Sequence, residues 1–483
     1  MNYRMVLNTL AVVLRIEAAL LVLPACVSLI YGEYGGAWSF ALTVVIILAA
    51  SLVSLLFKPK SKVIYAREGF VIVALAWVLM SAFGALPFCI SGEIPSYTDA
   101  FFETVSGFTT TGASILTDVE ALSYGMTFWR SFTHWVGGMG VLVFVLMIMP
   151  LAGDRSIHIM RAEVPGPTKS KLMPKLGHSA AILYVMYIAL TVVEVIFLLC
   201  GGMPLFDSIV HAFGTAGTGG FGIKSTSIAY YDSAYIDAVI TVFMALFGIN
   251  FGVFFLIITG RIKEALRSDE LRWYIGIILA AITIVTADIL PMYGGDLLKA
   301  LRFSSFQVSS IITTTGYVTA NYDTWPMLSK TVLVLLMFIG ACAGSTGGGI
   351  KVSRVMIYLR RAAHGIRGLV SPRETHAVTL DGKVLSERTL KTVDLYLIAY
   401  VFALGVSVLL VSIDNFDFES TVTSVITCFN NVGPGLGICG ATGNFAAFSD
   451  FSKYVLSADM LLGRLELFPM LMLFSVRVWK RGF

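Results

Sequence analysis

Long apolar stretches alternate with short polar segments along the 483 residues of this chain. About 20 apolar residues are enough for a helix to cross the hydrocarbon core of a membrane. Ten such spans are predicted, near residues 7–31, 37–57, 68–90, 130–151, 179–201, 236–260, 273–292, 330–350, 391–413 and 454–476. The pattern therefore predicts an all-α polytopic membrane protein.

Four times, a shorter amphipathic element stands between two of these spans. Each copy begins with polar or turn-forming residues and ends at Thr, Asn and Gly, and the copies cover residues 96–114, 203–222, 295–318 and 416–437. A helix of this length cannot cross the membrane, so its C-terminal carbonyls, the negative end of the helix dipole, would point toward the membrane interior. Four copies predict one pore of pseudo-fourfold arrangement, because a ring of backbone carbonyls needs about four contributors to replace the water around an ion.

The glycine near the end of each copy is the candidate ion-selecting position. Glycine permits backbone angles that a side chain would forbid, so a segment can turn its carbonyls inward. A single Thr-Thr-Thr-Gly run is typical of a capped helix end, whereas four copies at equivalent positions favour an ion filter. This position is occupied by Gly112 in copy one, Gly316 in copy three and Gly433 in copy four. In the second copy both Gly217 and Gly220 fit, and the aromatic residue after Gly220 favours Gly220.

Composition and charge agree with a membrane protein whose two faces differ. Hydrophobic residues make up 57% of the chain, charged residues 13%, and the mean hydropathy is +0.83, which excludes an ordinary soluble globular protein. Loops on one side hold 26 of the 34 Lys and Arg residues, so we expect that side, with both termini, to be cytoplasmic. The opposite loops carry fourteen Asp and Glu against Lys224, Lys299, Arg302 and Lys453. This acidic face either concentrates cations at a pore mouth or is a by-product of the same bias.

The glycine-ended copies resemble the Trk/Ktr/HKT superfamily of cation transporters, and within it the TrkH family, the membrane subunits of bacterial Trk potassium uptake systems. The resemblance implies two N-terminal transmembrane helices (1–64) and four membrane-pore-membrane units (65–152, 153–260, 261–390 and 391–483) around a potassium-channel-like pore. It implies K⁺ as the permeant ion and no cofactor in this chain. The potassium filter that it implies consists of Thr110, Thr111, Gly112, Thr218, Gly219, Gly220, Thr314, Thr315, Gly316, Asn431, Val432 and Gly433.

The run 340–351 (GACAGSTGGGIK) interrupts the predicted span 330–350. Five glycines and no large side chain before Ile350 cannot hold a straight, well-packed helix. The resemblance implies an intramembrane gate loop below the filter, formed by Gly344, Ser345, Thr346, Gly347, Gly348, Gly349 and Lys351. A helix-helix packing site of small residues is the alternative, whereas a P-loop is excluded because no Gly-Lys-Ser/Thr sequence is present.

Arg464 lies inside the last apolar span, where an arginine that faces lipid is costly. The resemblance implies that this arginine stands in the permeation path and belongs to the gate. The alternative is a buried ion pair with Glu466, although residues two apart on a helix do not face each other.

The resemblance also implies partners. We expect a homodimer with one pore per protomer in the lipid of the cytoplasmic (inner) membrane, and a cytosolic TrkA-like regulatory ring that carries the controlling nucleotide. The basic loop 351–391 could meet anionic lipid or serve as a docking surface. No nucleic acid is expected as a partner.

Two other functions can be weighed from the residues. A sodium- or proton-coupled potassium symporter could use the intramembrane acids Glu194, Asp288 and Asp394. A membrane-embedded enzyme is disfavoured, because the six histidines form no HExxH motif and no GxSxG motif occurs. We therefore predict a protein that is not an enzyme.

Overall fold

The computed structural model describes residues 1–57, 66–140, 176–370 and 377–479, which are mostly helical. The helices are α1 (Tyr3–Leu20), α2 (Val22–Ile30), α3 (Tyr34–Leu52), α4 (Ala66–Gly84), α5 (Leu86–Ser91), α6 (Tyr97–Phe108), α7 (Tyr124–Gly138), α8 (Leu176–Cys200), α9 (Leu205–Gly217), α10 (Ala234–Phe247), α11 (Phe251–Ile258), α12 (Ile262–Leu266), α13 (Asp269–Ile289), α14 (Leu297–Ile312), α15 (Met327–Phe338), α16 (Val352–Val370), α17 (Glu387–Val411), α18 (Phe418–Phe429), α19 (Asp450–Arg464), α20 (Phe468–Leu473) and α21 (Val476–Trp479). One antiparallel hairpin pairs β1 (Thr379–Leu380) with β2 (Lys383–Val384).

Six of the ten predicted spans are continuous membrane-length segments within the described residues. They are residues 3–30, 34–52, 67–91, 181–200, 269–293 and 387–414. The first two lie before the first repeated element and agree with the expected pair of N-terminal helices. α1 and α3 pack against each other, and α1 also packs against α4, so this pair adjoins the first unit.

The other four predicted spans each contain a helix that ends part way. We call α7, α10, α15 and α19 trailing helices 1 to 4, because each follows one of the repeated elements. The prediction of a continuous span is wrong in three cases. α10 meets α11 at 93° after a break at residues 248–250, α15 runs into an irregular loop, and α19 stops before two residues with positive φ, Glu466 and Leu467. For span 130–151, α7 ends at Gly138 and the residues after Gly140 lie outside the described ones.

The four repeated elements form short helices, as predicted. We call α6, α9, α14 and α18 repeat helices 1 to 4. Ser96, Asp296 and Asp417 cap three of them by accepting a hydrogen bond from the backbone of the first turn. Hydrogen bonds from the Ser420 side chain and backbone lower the pKa of the Asp417 carboxyl, so this cap is ionised at neutral pH.

The four units are arranged in a closed cycle. Each trailing helix packs against the repeat helix of the next unit: α7 against α9, α10 against α14, and α15 against α18. α19, in the last unit, packs against α6 in the first. The chain order 1-2-3-4 is therefore also the order in space, and the cycle closes without a covalent connection between units 4 and 1.

Three acids near the starts of the trailing helices have structural partners. Glu93 accepts a hydrogen bond from Ser123 N, Asp288 from Ser329 N, and Asp414 from Ser449 N, at 2.9, 3.0 and 2.9 Å. Each of these serines lies at the start of a trailing helix, where backbone N–H groups lack partners within the helix. These carboxylates therefore fix the starts of three trailing helices, in addition to any effect on nearby ions.

Candidate ion pathway

After each repeat helix the backbone takes the same unusual course. The residues two positions before the glycine have φ of 54°, 56°, 58° and 56°, and the glycines have φ of 82°, 77°, 82° and 100°. Positive φ at both positions, with a residue between them, allows successive carbonyls to face one side, as a ring of carbonyl ligands requires. We call residues 110–112, 218–220, 314–316 and 431–433 ring segments 1 to 4.

The backbone angles settle the alignment of the second segment. Thr218 and Gly220 have positive φ, as Thr110 and Gly112 have in the first segment. Gly217 is instead the last residue of α9. Gly220 is therefore the geometric equivalent of the other three glycines, which agrees with the preferred alignment from the sequence.

The four glycines lie at the contacts between ring segments. A Cβ on Gly112 would lie 2.0 Å from the carbonyl oxygen of Gly219, and one on Gly220 would lie 2.0 Å from that of Thr315. The corresponding distances are 2.3 Å from Gly316 to Val432 O and 2.7 Å from Gly433 to Thr111 O. Each segment thus touches the next, and the fourth touches the first, so the ring is closed and has no room for a side chain at these positions.

Hydrogen bonds between buried side chains stabilise the ring segments. Thr109 and Thr111 share a hydrogen bond of 2.8 Å between their hydroxyls, and Thr313 and Thr315 share an equivalent one. Asn431 Nδ2 donates to Thr111 Oγ1 at 3.0 Å, which joins segments 4 and 1. These bonds fix the direction of the segments, because a buried polar group without a partner would be costly.

Arg130 is a buried residue at the ring that the sequence analysis missed. It lies on trailing helix 1, and its Nε donates to Glu103 of repeat helix 1 at 2.6 Å. Its Nη1 donates to Gly222 O at 3.0 Å, and its guanidinium carbon lies 3.5 Å from the centre of the Phe221 ring. Arg130 therefore connects repeat helix 1 to the chain after ring segment 2. Arg130, like Arg464, is an arginine at a predicted apolar span, and this signal was present in the sequence.

The run 340–351 is an irregular loop directly beside the ring. Gly340 N donates to Ile350 O at 2.9 Å and Ile350 N to Phe338 O at 3.1 Å, so the two ends of the loop are held together. Gly348 N donates to Thr314 Oγ1 at 2.7 Å. The alternative of a helix-helix packing site is wrong, because the glycines leave the run outside any helix.

Two polar side chains bind the backbone of this loop and of the helix after it. Glu270 accepts hydrogen bonds from Ala343 N at 2.7 Å and from Ser353 N at 3.1 Å. The Lys351 ammonium lies inside the loop and donates to the carbonyls of Gly347 and Gly348. Lys351 is buried, so its amine is enclosed by the loop close to the ring.

Arg464 joins the loop to trailing helix 1. Its Nη1 donates to Thr346 O at 2.6 Å, and its Nη2 donates to Gly137 O at 2.6 Å and Gly138 O at 2.8 Å. Glu466 forms its ion pair with Arg354. Arg464 therefore donates to three carbonyls and Glu466 pairs with Arg354, whereas the sequence had left open a pairing of Arg464 with Glu466.

The three acids considered for coupled transport have different surroundings. Asp288 caps trailing helix 3, and Asp394 pairs with Arg361. Glu194, on α8, is fully buried. Among the described residues, Glu194 has neither a capping role nor an ion pair, unlike the other two carboxyls.

Comparison with known proteins gives matches over nearly the whole chain. A family model described as TrkH, cation transport protein, matches residues 38–480. The chain is 36% identical over 489 residues to the Trk system potassium uptake protein TrkH of Escherichia coli strain K12, covering 99% of this chain and 100% of that protein. It is 33% identical over 490 residues to the TrkH of Halomonas elongata, with both proteins covered fully. The crystal structure of the potassium transporter TrkH from Vibrio parahaemolyticus superposes with a TM-score of 0.89 at 30% identity, covering 99% of this chain and 100% of that one.

Proposed function

We propose that this chain, which belongs to the TrkH family of cation transport proteins, carries potassium into the cell through the ring of four glycine-bearing segments. Membership of this family confirms the resemblance that the sequence indicated. It also shows that the protein is a transporter and not an enzyme. The observation that carries the proposal is the closed contact cycle Gly112, Gly220, Gly316 and Gly433.

Backbone carbonyls are suited to a weakly hydrated monovalent cation. Carbonyl oxygens can replace the water of such an ion without a fixed negative charge that would bind it too tightly to leave. The proposed filter is the predicted set, residues 110–112, 218–220, 314–316 and 431–433. Potassium is the proposed ion because the E. coli relative is named for potassium uptake.

The loop 340–351 and Arg464 are the proposed gate. The loop contacts Thr314 of ring segment 3, and Arg464 binds the loop through Thr346 O. The positive charges of Lys351 and Arg464 would oppose a cation that leaves the ring, since like charges repel strongly where water is scarce. Movement of the loop away from the ring would then open the path.

The membrane location and the partners that we propose are those that the family resemblance implies. The protein would act in the cytoplasmic membrane as a homodimer with both termini in the cytoplasm. A cytosolic TrkA-like ring with a bound nucleotide would release the gate, and the amphipathic helix α16 with its basic residues is the proposed docking element.

Ion flux through the purified protein in liposomes tests this function. With potassium inside and an imposed voltage, we expect uptake of rubidium tracer that potassium inhibits and sodium does not. Uptake that sodium and potassium inhibit equally would contradict a potassium function.

Coupled symport is the second candidate, because Glu194 is a buried carboxyl that could take up a proton. The same liposomes separate the two mechanisms. Flux that continues at equal pH and without sodium supports electrodiffusion, and flux that needs either gradient supports symport.

A further inference from the structure

At the end where the trailing helices begin, ion pairs between described residues cross every boundary between neighbouring units. The boundary of units 2 and 3 has two, because Arg302 also pairs with Asp232 at 3.2 Å. At each boundary the trailing helix of one unit, or the turn just before it, meets the repeat helix of the next unit or the chain just after its ring segment. The pairs and their N–O distances are Glu120–Lys224 at 2.6 Å, Asp237–Arg302 at 2.7 Å, Lys330–Glu419 at 3.7 Å and Lys453–Asp99 at 2.6 Å. We call these four pairs the boundary pairs.

The sign of the charges is not the same at each boundary. On the side of the trailing helix the residue is acidic in the first two pairs and basic in the last two. A sequence repeated without change would have kept the order of the charges. The boundaries therefore share an attraction between opposite charges on adjacent units, although the residue at a given position is acidic at some boundaries and basic at others.

The Lys453–Asp99 pair lies at the boundary that no covalent connection spans. The two residues are 354 positions apart, in the last and the first unit. Their side chains are only 7% and 26% exposed, whereas those of Lys330 and Glu419 are 18% and 48% exposed. A partly buried pair is screened less by water and salt than an exposed one.

Repeat helix 1 links this pair to the ring closure. Asp99 lies in the first turn of repeat helix 1, where the helix dipole favours a carboxylate. Beside it, the hydroxyls of Thr98 and Tyr454 lie 3.2 Å apart across the same boundary. Repeat helix 1 leads directly into ring segment 1, which meets segment 4 where a Cβ on Gly433 would lie 2.7 Å from Thr111 O. A shift of repeat helix 1 away from trailing helix 4 would therefore widen this contact.

We propose that Lys453 and Asp99 are positioning residues that close the ring between units 4 and 1 and so set the ion selectivity of the pore. This inference rests on the proposed function of the ring segments as a filter. The pair itself does not touch the ion. It holds repeat helix 1 against trailing helix 4, and the loss of one partner leaves the other charge uncompensated in a partly buried site.

Charge removal and charge exchange test the proposal in the full-length protein. Lys453→Met and Asp99→Asn each remove one charge, and Lys453→Asp combined with Asp99→Lys restores a pair in the reverse order. The reverse order occurs in the Asp237–Arg302 pair, at the boundary of units 2 and 3. Lys330→Met is the matched control, since its pair is longer and more exposed.

The readout is the potassium/sodium permeability ratio from reversal potentials, with thermal unfolding measured in parallel. We expect each single variant to lower the ratio by about three- to tenfold and the exchange variant to recover most of it. Lys330→Met should change the ratio by less than about twofold. A role in stability alone would lower the unfolding temperature without changing the ratio.

Two results would overturn the proposal. One is a set of single variants that conduct with the wild-type ratio, and the other is an exchange variant no better than the single ones. If a single variant does not fold, the exchange variant still decides. Gly316→Ser, measured in the same way, separates the role of the ion pair from the role of the filter. A lower ratio in Gly316→Ser alone removes the role of the pair and keeps the filter, whereas unchanged ratios in all variants remove the filter as well.

Discussion

Replacement of Gly316 by serine should reduce potassium selectivity by two separate effects. Gly316 has φ of +82°, and a residue with a side chain costs about 1–2 kcal/mol in this left-handed conformation. Its new Cβ would also lie 2.3 Å from Val432 O and 2.8 Å from Pro434 Cδ. Because ordinary contacts begin near 3.5 Å, ring segments 3 and 4 must separate by roughly 1 Å.

Such a displacement is large for a ring of carbonyls that replaces the water around an ion. We expect the potassium/sodium permeability ratio of Gly316→Ser to fall by about tenfold, which corresponds to about 1.4 kcal/mol. Reversal potentials in liposomes or planar bilayers, with potassium on one side and sodium on the other, measure this ratio directly.

Gly92→Ser is the matched control for backbone strain. Gly92 has φ of +80°, almost the same as Gly316, but nothing lies within 4 Å of its added Cβ. We expect this variant to keep the wild-type ratio. A Gly316→Ser protein that folds, conducts and also keeps the wild-type ratio would refute the reasoning from crowding at the ring.

Three other variants address the gate and the support of the ring. Arg464→Met removes the bonds to Thr346 O and to the end of trailing helix 1, so rubidium uptake in liposomes without a partner protein should rise; an unchanged rate would exclude Arg464 from the gate. Deletion of two residues from the loop 340–351 should have the same effect, and failure to raise uptake would remove the gate role of the loop while leaving the filter intact. Arg130→Leu leaves Glu103 as an unpaired buried charge and should destabilise the protein by about 3–5 kcal/mol, whereas adding Glu103→Gln should recover part of the loss in thermal unfolding.

The sequence predicted the spans and the four repeated elements because both depend on local patterns. Helix length, apolar runs and polar caps such as Ser96 and Asp417 are all set within a few residues. The breaks in the trailing helices were not predicted. The apolar runs contain one polar residue at each of two breaks, Asn250 and Glu466, and a single polar residue within a long apolar run did not indicate a helix end.

The site was predictable in part for a similar reason. The glycines could be found by repetition, but the choice between Gly217 and Gly220 depends on backbone angles that a sequence does not contain. The Lys453–Asp99 pair was missed because its two residues are 354 positions apart, whereas Arg130 carries a local signal, an arginine in an apolar span, that was overlooked. Repetition therefore indicated where ions would be selected, while the contacts that hold the ring together needed the fold.

The central claim is that a cation binds within the ring of segments 110–112, 218–220, 314–316 and 431–433. Anomalous diffraction from crystals of the protein grown in rubidium, an ion that substitutes for potassium, tests this claim most directly. We predict an anomalous peak on the axis of the ring, surrounded by the carbonyls of all four segments, that disappears when sodium replaces rubidium. Rubidium bound only outside the ring, or a peak of equal occupancy in Gly316→Ser crystals with unchanged selectivity, would contradict the account.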